Sequence, residues 1–136
     1  MIAETMERLA VLDGTWRGRG AGHYPTIDDF EYEEMLRFEL ERAYPMIHYE
    51  QRTLLLPSRE PSHWESGFIR ATEDCTIEIS NSQDSGRVEV LRGRLVDPPD
   101  GAELRLELAS AVLDHDPRLA ETRRVLTLEN LSLIHI

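Results

Sequence analysis

The chain has 136 residues, 40% of them hydrophobic and 30% charged, which suits one folded domain with its own core and excludes a disordered polypeptide. A formal charge of −11 repels phosphate, so nucleic acid and anionic membrane are excluded as partners. A single cysteine, Cys75, rules out an intrachain disulfide and fits the reducing cytoplasm, and no apolar run reaches membrane-span length.

Residues Ala3 to Leu12 are short and amphipathic, with Met6, Leu9 and Ala10 at helical spacing, which predicts one or two turns of helix. This start lacks the basic-then-apolar layout of a signal peptide. Gly14, Gly18, Gly20 and Gly22 then alternate with other residues around Trp16. Glycine recurring on one face of an extended segment lets a backbone or a flat ligand come close; the alternative is that it eases a bend in a coiled sheet. Glu31 to Arg42 is rich in helix formers, yet Phe30, Tyr32, Leu36, Phe38 and Leu40 hold alternate positions, with charged residues between them. A helix would scatter those apolar groups around its circumference, so a strand is expected. Tyr44-Pro45 opens a run through Ile47, Tyr49, Gln51 and Thr53. A turn from Pro57 to Pro61 precedes a strand from His63 to Ala71. Alternation follows over Cys75 to Asn81, Val88 to Leu95, Leu104 to Leu108 and Arg123 to Leu128. Turns are expected at Gln83 to Gly86 and Asp97 to Gly101. Many short strands without intervening helices describe an all-β antiparallel meander, and closure removes its exposed edges. The expected architecture is an up-and-down β-barrel with a short N-terminal helix, one domain over residues 1–136.

Five histidines, His23, His48, His63, His115 and His135, show no metal-site spacing with one another or with Cys75. There is no Gly-x-Ser-x-Gly elbow and no phosphate-binding loop. Asp13, Asp28-Asp29 and Asp114-His115-Asp116 read as turn residues. His63, between a proline turn and a strand, is either a rim histidine or a site residue.

Two ordered motifs carry a resemblance. Gly14-Thr15-Trp16-Arg17-Gly18-Arg19-Gly20, followed by Tyr24-Pro25-Thr26-Ile27, resembles the signature of the nitrobindins, small haem-binding β-barrels. His63-Trp64-Glu65-Ser66-Gly67-Phe68-Ile69-Arg70 resembles their second signature, a histidine-led strand after a proline turn. Tyr32-x-Glu34, Pro45 to Thr53 and Gly86-Arg87-Val88-Glu89-Val90 with Gly93 also fit the family. The likeness covers Leu12 to Gly93 well and Leu104 to Leu128 loosely.

The resemblance implies a ten-stranded barrel shaped like the fatty-acid-binding proteins, with about eight or nine strands here. It implies one haem b per barrel, nitric oxide binding and isomerisation of peroxynitrite to nitrate. Gly14, Trp16, Gly18 and Gly20 are then the family motif, with Trp16 packing the barrel floor. Thr26 and Ile27 would line the haem side of the pocket, although Thr26 could equally cap its turn. His63 would lie near the haem edge without ligating iron.

Iron needs an imidazole at coordinating distance. In the family it lies in the last strand, after a threonine-rich bend, so no metal ligand is assigned here and the axial histidine is expected beyond Ile136. His135 lacks that context. Leu131-Ser132-Leu133-Ile134-His135-Ile136 resembles read-through of sequencing-adapter DNA; the alternative is a ninth strand. The domain is thus expected to be truncated at its C-terminus and this chain to bind haem poorly, with impaired activity. The competing function is a non-enzymatic carrier of a small hydrophobic ligand in a closed barrel. The sequence assigns no oligomeric state.

Overall fold

The computed structural model describes residues 2–22, 29–73, 75–115, 122–129 and 132–135. A helix, α1 (Ile2–Leu9), runs into a 3-10 turn at Ala10–Leu12. Nine strands follow: β1 (Gly14–Gly22), β2 (Phe30–Glu41), β3 (Met46–Leu56), β4 (Pro61–Glu73), β5 (Thr76–Gln83), β6 (Val88–Val96), β7 (Ala102–Asp114), β8 (Arg123–Glu129) and β9 (Ser132–His135). Each pairs antiparallel with the next, so spatial order repeats chain order, and β1 comes back against β9. The expected meander is therefore present, curled on itself. A strand occupies Ser132–His135, where its backbone pairs with Leu126 to Glu129.

Alternation decides which side chains enter. In β2, Leu36 and Phe38 are buried while Arg37 and Glu39 are exposed, so the period-two pattern overrides the helix propensity of that segment. Ile47 and Tyr49 of β3, Ile69 of β4, Ile77 and Ile79 of β5, Leu91 and Leu95 of β6 and Leu104, Leu106 and Leu108 of β7 complete one core. Burying each such side chain is worth roughly 1.5–3 kcal/mol.

One end of the barrel is stoppered. Met6, Leu9 and Leu12 share a face and are buried against the core, and α1 packs on β4. The Thr5 hydroxyl accepts the Cys75 backbone N–H at 2.9 Å, tying the helix to the β4–β5 turn. Trp16 packs at this same end and its Nε1 donates to the Leu12 carbonyl at 2.8 Å. Asp13 staples the helix exit to the sheet by accepting the Leu40 N–H at 3.0 Å.

The curl is tightest away from the glycine-rich first strand. A Cβ on Gly67 would lie 2.0 Å from the Ser80 carbonyl oxygen, and one on Gly93 would lie 1.8 Å from that of Glu107. Adjacent strands come so close there that only glycine fits. At Gly18, by contrast, a Cβ would meet nothing within 4 Å.

Candidate functional site

The strands run between the stoppered end and an opposite end that carries the turns after β3, β5 and β7. Toward this second end the inward positions turn polar. Carrying the inward face of Ile69 back along β4 gives Gly67, Glu65 and His63. Along β5 the inward face passes from Ile79 to Asn81 and Gln83, and along β6 from Leu91 to Glu89. Arg124 of β8 faces the same layer.

These side chains form one hydrogen-bonded cluster. Glu65 and Glu89 are each 1% exposed and share a single guanidinium, that of Arg124. Arg124 Nη1 donates to Glu65 Oε2 at 2.7 Å, and Nη2 donates to Glu65 Oε1 at 2.9 Å and to Glu89 Oε1 at 2.7 Å. The Tyr49 hydroxyl donates to Glu65 Oε2 at 2.6 Å, and His63 Nε2 lies 2.8 Å from Glu65 Oε1. Glu89 accepts from Asn81, Gln83 and Thr122. Two carboxylates against one cation leave a net negative charge inside, and these uncharged donors stabilise it. Among the described residues no buried side-chain nitrogen or oxygen lacks a partner. Such a network holds its members in place only when complete.

Protonation follows the same logic. Burial works to raise the Glu65 pKa, but hydrogen bonds from His63, Arg124 and Tyr49, with the Arg124 charge, hold it at about 2. Burial and the Glu65 charge push the Tyr49 phenol far above its usual range, so it stays neutral and donates. Burial would favour a neutral Arg124, yet the bonds and charge of Glu65 outweigh it and keep the guanidinium charged.

Between this layer and the apolar core lies a void of about 20 Å³ beside Leu36, Phe38, Tyr49, Gln51, Ile79, Arg124 and Leu126. It has room for about one water molecule, far below the ~300–1,000 Å³ of a small-molecule pocket. Strand alternation puts Gly18, Gly20 and Gly22 on the face of Trp16, which packs against the core. At Gly18 that face is bare. A flat ligand can lie against a wall that has no side chains.

The remaining histidines stand elsewhere. His48 points outward, its Nε2 3.0 Å from the Ser66 hydroxyl and its ring 5.2 Å from that of Phe68. His115 lies in the exposed turn after β7, where its N–H donates to Asp114. Thr26, Ile27 and His23 fall outside the described residues, as does the side chain of His135. Of the expected pocket residues Thr26, Ile27 and His63, only His63 is among the described residues, where the fold joins it to Glu65. Glu65, Glu89 and Arg124 are the residues that motif reading left without a role. Parity along each strand, counted outward from Ile69, Leu91 and Leu126, is the signal that finds them.

The chemistry of these donors fits the body of a haem better than its iron. A Cβ at Gly18 would meet nothing within 4 Å, and His63 stands 32% exposed at the mouth. The His63 imidazole and the Tyr49 phenol are both engaged by Glu65.

A curled antiparallel sheet, plugged by a helix at one end and polar at the other, defines a cup-shaped β-barrel. The chain belongs to the family described as the THAP4-like, heme-binding β-barrel domain, whose model matches residues 5–134. It is 47% identical over 85 residues to a peroxynitrite isomerase of Arabidopsis thaliana, covering 62% of this chain and 51% of that protein. It is 38% identical over 109 residues to peroxynitrite isomerase 1 of Rhodococcus jostii, covering 80% of this chain and 58% of that one. The chain spans between half and three fifths of the length of these curated relatives. The crystal structure of Rv2717c from M. tuberculosis matches it with a TM-score of 0.85 at 27% identity, over 99% of this chain and 86% of that one. The nitrobindin resemblance is thus borne out at the level of family and fold. No helix among the described residues is long and apolar enough to cross a membrane.

Proposed function

We propose that this barrel is built to bind one haem b at its open end, weakly in this chain, and to act on reactive nitrogen species, binding nitric oxide and isomerising peroxynitrite to nitrate. The observation that carries the reading is the bare inward face of β1 at Gly18, in a chain whose family is described as heme-binding. Relatives named peroxynitrite isomerase support the reaction. The same family description favours haem over a generic apolar cargo. In this reading Gly18, Gly20 and the Thr26-Ile27 corner make the wall, and His63 stands at the edge of the ring. Bound haem supplies the iron at which nitrogen oxides react. The residues themselves exclude water, orient the ring and hold a proton at His63. The iron's imidazole comes from outside the described residues. Cys75 as a free thiol and the charge of −11 support a cytoplasmic setting apart from nucleic acid.

Haemin titration of the purified chain, followed at the Soret band, tests the reading. A saturable change is expected, and Gly18→Leu, which fills the bare face, should weaken it by about ten-fold or more, or ~1.4 kcal/mol. Circular dichroism reports whether the variant keeps its sheet. Equal affinities in two folded proteins, or no saturable change in the unaltered chain, would overturn it.

A further inference from the structure

We propose that Glu65 is the positioning residue of His63: clamped by Arg124 and Tyr49, it fixes the imidazole with its proton on Nε2 and so withdraws that nitrogen from metal ligation. The inference takes its functional meaning from the haem reading, but its geometry stands without it.

Three elements fix the carboxylate. Arg124 from β8 grips both oxygens, and Tyr49 from β3 adds a 2.6 Å bond to Oε2. Rotating Glu65 would break the two-pronged contact with Arg124, so it cannot follow a moving histidine. His63 lies two residues earlier on the same face of β4. Its entry is set by a bulge, because Thr53 pairs with His63 while Leu54 pairs with Pro61, leaving Ser62 unpaired between them. The ring thus meets a fixed acceptor from a fixed backbone.

The identity of the protonated nitrogen follows. An ionised carboxylate only accepts hydrogen bonds. Nε2 sits 2.8 Å from Oε1, so a lone pair there would face another lone pair; a proton there makes a charge-assisted bond. The other nitrogen, Nδ1, lies 3.8 Å from Asp84 Oδ1, outside bonding distance, and that oxygen already accepts the Trp64 N–H at 3.2 Å. Neutral His63 therefore carries its lone pair on Nδ1. An imidazole ligates iron through a bare nitrogen, and the inward one is not bare. A histidine can in this way stand at a haem edge as a proton donor without competing for the metal.

The test uses nitrogen-15 NMR of the His63 ring in the haem-free chain near pH 8, so failure of the haem reading does not touch it. In the unaltered protein the ring should show the Nε2–H tautomer, with that proton protected from exchange with water. In Glu65→Gln the exchange should quicken by about ten-fold or more, the factor a hydrogen bond to a charged group supplies. Tyr49→Phe, which removes a neighbour of Glu65 but not Glu65 itself, should leave the proton protected. An Nδ1–H tautomer or an unprotected Nε2–H in the unaltered protein overturns the proposal even if Glu65→Gln fails to fold. Unchanged protection in a folded Glu65→Gln overturns it equally.

Discussion

Replacing Arg124 by methionine removes the guanidinium that, among the described residues, lies between two carboxylates each 1% exposed. The side chain keeps much of its volume, so the loss is electrostatic. Three donated bonds of 2.7–2.9 Å disappear, and Glu65 and Glu89 are left facing each other's charge without a cation. Breaking a buried ion pair from one side costs about 3–5 kcal/mol, against a total stability of about 5–15 kcal/mol for a domain. At this chain length that corresponds to a fall in Tm of roughly 10–20 °C. The pH dependence separates this cause from lost packing. In the unaltered protein Glu65 has its pKa depressed from 4.5 to about 2, so its contribution is full above 4.5 and lost as pH falls toward 2. In Arg124→Met, Glu65 keeps the burial that raises its pKa and loses the cation that lowers it, so the variant should grow more stable as pH falls between about pH 7 and pH 5. Thermal and urea unfolding followed by circular dichroism at both values measures it. A Tm loss below about 3 °C, or a variant whose stability ignores pH, would refute the claim that the pair is buried and coupled.

For the unaltered chain, the shift at Glu65 amounts to about 3 kcal/mol, which should vanish between about pH 4.5 and 2. Urea midpoints taken at steps through that window should fall, and a flat profile would contradict the assignment. Gly67→Ala and Gly93→Ala each drive a methyl into a neighbouring carbonyl and should cost about 1–3 kcal/mol or more in chemical denaturation. Gly18→Ala should fold as the unaltered chain does, since its Cβ meets nothing within 4 Å.

The sheet was readable because its apolar residues keep step with the backbone. Leu36 and Phe38 in β2, or Ile47 and Tyr49 in β3, announce an inward face whatever the helix propensity of their neighbours. The charged layer was not readable, because an inward glutamate and a solvated one look alike in a sequence. In β6, Val88 and Val90 flank Glu89, and simple hydrophobicity would turn the valines inward; the strand instead buries Glu89. In β4, Trp64 and Phe68 lie outside, 49% and 45% exposed, while Glu65 is buried. Arg52 stacks over the Trp64 ring at 4.3 Å, which gives that exposed aromatic a partner. What makes the inward charges tolerable is a third strand, β8, whose Arg124 is 59 residues from Glu65 in the chain. Pairing over such separations leaves no local signal. The β1 glycines were legible as a motif, and the fold adds that a Cβ at Gly18 would meet nothing within 4 Å.

The tie between Thr5 and Cys75 spans 70 residues, and Arg8 reaches the same cysteine's sulfur at 3.6 Å. During synthesis the helix emerges before the sheet, yet its seat does not exist until the hairpin of β4 and β5 has emerged. The stopper must therefore wait, greasy side uncovered, while about 70 further residues are made. Sheet neighbours in this meander are also neighbours in the chain, so hairpins can zip in the order they appear. Pulse-labelling hydrogen exchange during refolding should find the amides of Met6 to Leu9 protected no sooner than those of Ile69 and Ile77, making an element synthesised before the sheet a late arrival in the folded one.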